Sequence, residues 1–189
     1  MQDEKQAVIL ADAELDRARS VANLEEDVML LLSFKAGLRA GEIASADWRW
    51  VRTASGELAD FVDVPPSATK RHLGAGRITM HAELRAALLK LSASRRHPMQ
   101  GPIICQHAGA AVQSLEANSV AKRFKRLFAR AGMARPSSHS GRRTYGTKLA
   151  GKINLPSLQL AMRHQDRAST LRYVDPASDA AISAAIKSL

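Results

Sequence analysis

Apolar residues recur three and four positions apart over most of this chain, which is the spacing of helices with one buried face. Leu15, Ala18 and Ala22 share one side of a first helix, with Asp12 as its N-cap. Asn23 followed by Glu26 has the spacing of a capping box, and Leu24, Val28, Leu31 and Leu32 then mark a second helix and assign themselves to the core. Gly37 stops that helix, and a short helix follows over 38–47. Between 48 and 80 the pattern changes. Residues 50–52, 61–64 and 77–80 read as short strands of a small antiparallel sheet, punctuated by Pro65-Pro66 and Gly74-Ala-Gly76, with Lys70 near the turn between the last two. Helical spacing returns over 81–91, and 95–102 reads as a loop. Asn118 caps a helix whose buried face is Val120, Phe124, Leu127, Phe128 and Ala131, and Gly132 ends it. Ser137 or Ser138 caps the helix carrying His139 and Arg142. Short helices follow over 155–163 and 168–174, and a small amphipathic one over 177–189 presents Ile182, Ile186 and Leu189. The fold class is mainly α with a small antiparallel β-sheet (α+β), in one domain of 189 residues.

Charge narrows the choice of partner. The net charge is +10, and it is unevenly placed. Acids crowd the first thirty residues, whereas no Asp or Glu occurs over 117–165. That window holds Lys122, Arg123, Lys125, Arg126, Arg130, Arg142, Arg143 and Arg163, so it is suited to a polyanion, with nucleic acid first among them. A single cysteine, Cys105, excludes an internal disulfide and reads as a small buried hydrophobe. No apolar run reaches bilayer length and no signal peptide is visible, so the expectation is an intracellular protein without a membrane partner.

The same window supplies candidate chemistry. His139 and Arg142, spaced i, i+3, project from one helix face; His164 and Tyr173 follow, and Arg39 opens the short helix in G-L-R-A-G-E-I. No H-x-x-x-H or H-E-x-x-H pair exists and the window carries no carboxylates, which speaks against a metal site; the lack of G-x-x-x-x-G-K-[ST] speaks against a nucleotide-driven reaction. Phosphodiester chemistry without a metal or other cofactor fits the side chains present. Two arginines can fork onto the non-bridging oxygens of a phosphate, a tyrosine can attack it, and a histidine and a lysine can move the protons.

The ordered set G-L-R-A-G-E-I, T-K between two strands, H-S-G-R-R-T, and M-R-H with a tyrosine beyond it resembles the tyrosine recombinases, the phage-integrase family, over essentially the whole chain. The resemblance implies a site-specific recombinase catalytic domain. Arg39 and Arg142 bind the phosphate, Lys70 protonates the leaving 5′-oxygen and His139 takes part in proton transfer. His164 hydrogen-bonds the phosphate, and Tyr173 forms a 3′-phosphotyrosine. It also implies double-stranded DNA as substrate, a free monomer that assembles as a tetramer on DNA, accessory DNA-bending proteins, exchange of the 177–189 helix between protomers, and residence at the nucleoid. Lys122, Arg123, Lys125, Arg126, Arg143 and Arg163 are candidate contacts to the DNA backbone.

Three departures stand out. Gly141 occupies a position where the family often has leucine, and Arg163 one where it usually has glycine. The N-terminal core-binding domain that clamps the far side of DNA in most relatives is expected to be absent from 1–189. Two other readings stay open: a DNA-binding module of the same fold without the chemistry, and a type IB topoisomerase. Single residues keep plainer accounts too, such as Arg39 pairing with Glu42.

Overall fold

The computed structural model describes residues 7–69, 74–95, 99–108 and 111–174. Lys70 and the segment 177–189 therefore lie outside the described residues. The order is α1 (Asp12–Ser20), α2 (Leu24–Phe34), α3 (Ala40–Ala44), β1 (Phe61–Val64), β2 (Gly76–Thr79), α4 (Ala82–Ala93), β3 (Cys105–Ala108), β4 (Ala111–Ser114), α5 (Ala117–Arg130), α6 (Ser140–Ala150), α7 (Leu155–Ala161) and α8 (Arg167–Leu171).

Helix α2 is the central element. Asn23 Oδ1 accepts from the Glu26 N–H at 3.0 Å, and Glu26 Oε2 accepts from the Asn23 N–H at 3.0 Å, so two of the donors left open at the helix start are met. Val28, Met29, Leu30, Leu31 and Leu32 are fully buried, because α4, α5 and α6 cover this helix from several sides. Leu24, expected in the core, is 44% exposed. It is the first residue of the helix, where only one flank has a neighbour. The chain leaves α2 through Gly37 at φ +64°, and the ring of Tyr145 lies where a β-carbon at Gly37 would stand.

Helix α5 packs on α3 through Val120, Phe124, Leu127 and Phe128, as the periodicity predicts. Its end is a Schellman turn, with Met133 N–H on Phe128 O and Gly132 N–H on Ala129 O. Three caps fall beside their expected positions: Ala11 precedes α1 and Glu116 precedes α5, leaving Asp12 and Asn118 inside the helices, and His139 rather than Ser137 or Ser138 precedes α6. Asp12 instead pairs with Lys148 of α6.

The β structure differs more. Strands β1 and β2 pair antiparallel in register Val62 with Ile78. Residues 50–52 do not join them. Asp47 accepts from the Arg49 N–H at 2.9 Å and winds Trp48–Trp50 into a 3-10 turn, leaving one bridge between Arg52 and Leu58. A second hairpin, β3 with β4, was not expected from the sequence.

Helix α6 crosses α2 closely. A β-carbon at Gly141 would stand 2.3 Å from Ser33 Oγ and 2.8 Å from the Phe34 ring, so only glycine admits this approach. The departure from leucine at 141 thus has a packing reason. Tight contact with α2 offsets the roughly 1 kcal/mol of helix propensity that glycine gives up. Among the described residues no helix is long and apolar enough to cross a membrane.

Candidate active site

Five parts of the chain meet at one cleft of about 780 Å³: the start of α3, Thr69 and Gly74 between β1 and β2, the start of α5, the start of α6, and the α7–α8 turn. Its wall includes Arg39, Glu42, Thr69, His139, Arg163 and His164.

Arg39 is the N-cap residue of α3. Its backbone N–H donates to Glu42 Oε2 at 2.9 Å, and its Nη1 donates to Glu42 Oε1 at 2.9 Å. The pairing open from the sequence is therefore formed, yet the Arg39 side chain remains 41% exposed and faces the cleft. Glu42, only 2% exposed, also accepts from Arg163 Nη2 at 2.6 Å.

Arg142 is 5% exposed. Its Nη1 donates to Gly37 O and its Nη2 to Met162 O, so two neutral carbonyls hold a buried cation in place. Burial, reinforced by the nearby Arg39 charge, pushes this guanidinium down to about 10, and Glu42 pulls the other way. A cation held down this way gains from any anion that arrives.

His164 follows Arg163 in the turn after α7. Its Nδ1 is 3.0 Å from Thr170 Oγ1, and its ring stacks on Tyr173 with centroids 5.6 Å apart. Burial, then Arg142 and Arg39, drive its pKa down to about 4, so it is a neutral imidazole at physiological pH. Tyr173 lies against α6 at Gly146, where a β-carbon would stand 2.5 Å from its ring.

His139 is exposed at the N-cap position of α6, while Arg142 is buried inside the same helix. The expectation that the two share a face is met only in part: His139 lines the cleft, whereas Arg142 is buried with its guanidinium on Gly37 O and Met162 O. Lys70 lies outside the described residues. Its neighbour Thr69 lines the cleft, and the Thr69 Oγ1 accepts from the Gly74 N–H at 3.0 Å.

The remaining cations separate into groups. Lys122, Lys125 and Arg126 are exposed on α5. Lys122 and Lys125 stand one turn beyond Asn118 and Ala121, which line the cleft, so they continue its face. Arg126 borders a different cleft, beside Arg123 and Arg130. Arg143 is partly buried. Two candidates for the DNA backbone turn inward instead. Arg123 donates to Glu25 at 3.1 Å and to Cys105 O at 2.7 Å, and Arg163 is 8% exposed. The sequence reading also missed Thr69, Thr170 and Gly146; only the bare glycine in T-Y-G-T could have hinted at a close approach. Among the described residues no group of three or more His, Cys, Asp or Glu is placed to hold a metal ion.

The model of the phage integrase family matches residues 3–179. Among solved structures, the integrase of the Tn1549 transposon, in complex with a circular intermediate DNA, superposes with a TM-score of 0.69 at 20% identity, covering 99% of this chain and 67% of that one. XerA recombinase gives 0.68 at 19% identity, covering 98% and 64%. The integrase from mycobacterium phage Brujita gives 0.67 at 20%, covering 97% and 64%. At these identities the likeness establishes the fold, and the chain spans about two thirds of the length of these structures. A search of curated protein sequences returned no significant match.

Proposed function

The chain belongs to the phage integrase family, and from that premise we propose that it is the catalytic domain of a site-specific tyrosine recombinase that cuts and rejoins double-stranded DNA. One observation carries the reading: Arg39 and a neutral His164 line one cleft, Arg142 is buried close enough for its charge to act on both, and Tyr173 stacks on His164.

The scissile phosphate sits between Arg39 and Arg142, whose guanidinium groups meet the charge that grows on its oxygens. The Tyr173 oxygen attacks phosphorus, the bond to the 5′-oxygen breaks, and the strand's 3′ end becomes a phosphotyrosine ester. His139 takes the phenolic proton and Lys70 delivers one to the departing 5′-oxygen, each step worth roughly 10²–10⁴-fold in rate. Neutral His164 keeps Nε2 for the phosphate oxygens. A 5′-hydroxyl from a partner strand then attacks the ester and frees Tyr173. The adduct retains the energy of the broken bond, so this sequence of steps calls on no nucleotide and no cofactor. Lys122 and Lys125 track the DNA backbone beside the cleft, with Arg126 and Arg143 further out. The chain works as a tetramer on DNA from a free monomer, at the nucleoid, with 177–189 passed to a neighbour and DNA-bending proteins assisting. The described residues act as one catalytic domain.

The test is incubation with a nicked suicide duplex of the cognate site. A covalent DNA–protein band is expected on a denaturing gel and should vanish with Tyr173→Phe. Salt-sensitive binding with no adduct would sink the recombinase reading in favour of a binding module. Relaxation of supercoils without a specific site would favour a topoisomerase.

A further inference from the structure

Arg163 is the least conventional residue of the cleft. Its backbone is left-handed at φ +51°, a conformation that suits glycine and strains a residue that carries a β-carbon. The fold nonetheless accommodates the side chain closely. Its Cδ passes Gly76 at the start of β2, where a β-carbon would stand 3.1 Å away. Its Nε donates to Gly74 O at 3.0 Å and its Nη2 to Glu42 Oε2 at 2.6 Å, while Nη1 is buried without a hydrogen-bond partner. Burial lowers its pKa and Glu42 opposes that.

Glu42 poses a difficulty for a phosphate site. It is a buried carboxylate joined to Arg39, the cation that should receive phosphate. Left alone with Arg39, it would draw that guanidinium into a two-toothed pair and repel the incoming anion. Arg163 changes both effects. Its Nη2 takes Oε2, which also accepts the Arg39 backbone N–H, so the Arg39 guanidinium meets Glu42 through Nη1 on Oε1. Three guanidinium groups then face one carboxylate, and the cleft keeps two positive charges where it would otherwise keep one. The bond to Gly74 also ties the end of the β1–β2 loop to α3 through Glu42.

We propose that Arg163 is a positioning residue: by engaging Glu42 and Gly74 it releases Arg39 for the phosphate and sets the cleft's charge. This rests on reading the cleft as the scissile-phosphate site. Glycine at 163 would relieve the backbone and forfeit that release.

The experiment titrates inorganic phosphate into the full chain while the arginine side-chain ¹⁵N signals are followed by NMR. Arg163→Met keeps the stem against Gly76 and removes the charge. It should weaken phosphate binding roughly tenfold, the scale of one nearby charge in a half-buried site. Adding Glu42→Gln to that variant should restore affinity to within about twofold, because the competing carboxylate is gone. A purely structural role for Arg163 predicts no such rescue, since the double variant loses both ends of the bridge. Glu42→Gln alone should tighten phosphate binding, and it supplies the comparison if Arg163→Met does not fold. Unchanged affinity in Arg163→Met, absence of rescue, or weaker binding in Glu42→Gln each overturns the proposal. Adduct formation by the unaltered chain is scored separately. If it fails while the phosphate pattern holds, the recombinase reading falls and the role of Arg163 stands.

Discussion

Two clusters in this molecule are built from the same parts and have opposite characters. In one, Glu25 accepts from Arg95 at 2.7 Å and Arg123 at 3.1 Å, and from the Cys105 thiol at 3.1 Å. The remaining donors go to backbone: Arg95 reaches Pro102 O and Ile103 O, and Arg123 reaches Cys105 O. Every charge there has a destination, and the cluster stitches α2, β3 and α5 together. In the other, Glu42 sits among Arg39, Arg142 and Arg163, and charge is left over. Arg142 rests on two carbonyls, and Arg163 keeps an unpartnered Nη1. Both arginines and His164 have their charged forms disfavoured. Composition does not distinguish the two sites. The size of the positive excess does, three guanidinium groups to one carboxylate against two to one, and the larger excess is what the proposed phosphate site requires.

The comparison can be broken or sharpened by substitution. The largest effect is expected at Arg39. Arg39→Ala should lower the rate of adduct formation by roughly 10²–10³-fold, the usual loss for one transition-state donor. Chemical denaturation should show little change in stability, because Arg39 is half exposed. Equal damage to stability and rate would erase the distinction between the clusters. Glu25→Gln should do the reverse, costing about 1–3 kcal/mol of stability by leaving Arg95 and Arg123 short of a partner. The cleavage rate per folded molecule should not move.

A smaller, geometric effect belongs to Gly146→Ala. The added methyl meets the Tyr173 ring, so adduct formation should slow by about tenfold with phosphate affinity intact, a misplacement effect. A change confined to phosphate affinity would argue against Gly146 as the seat of the nucleophile.

Acid should expose a further difference. His164 has a folded pKa near 4 against an ordinary value of 6.5. The unfolded chain therefore takes up a proton near pH 6.5 that the folded chain refuses until near pH 4. Stability from this group is complete above the upper value and drains away as pH falls between the two. Denaturation midpoints measured across that window should decline, and His164→Gln should flatten part of the decline. The Cys105 thiol, pushed up to about 11 by burial and by Glu25, stays protonated throughout and contributes nothing there.

How far the sequence carried this account depends on whether a feature is local. The helices were legible because their signals lie within one turn: Asn23 and Glu26 cap α2 as their spacing requires, and the apolar face of α5 is the buried one. The hairpin β3–β4 was not, since its strands are only four residues each without clear alternation, and Gly109-Ala110 between them is a weaker turn signal than Asn-Gly. Residues 50–52 misled for a related reason. Trp50 and Val51 are strand formers, yet the Asp47 side chain captures the backbone into a 3-10 turn. Around the cleft, Arg39, His139 and His164 were named from the sequence and line it, and Tyr173 stacks on His164. The pairing of Arg163 was not legible, because its partner Glu42 lies 121 positions away and no short pattern encodes such a pair. Gly141 reads as a weak point in a helix until Ser33 and Phe34 of α2 are seen against it.

The most direct test of the central claim is to map the covalent link itself. The chain is incubated with the nicked cognate duplex in a chelator-containing buffer, digested, and the DNA-bearing peptide sequenced by mass spectrometry. The account predicts a single linkage, from Tyr173 to a 3′-phosphate, formed without added metal. A link through a 5′-phosphate, a link at another residue, or cleavage that appears only when a divalent ion is supplied would contradict it.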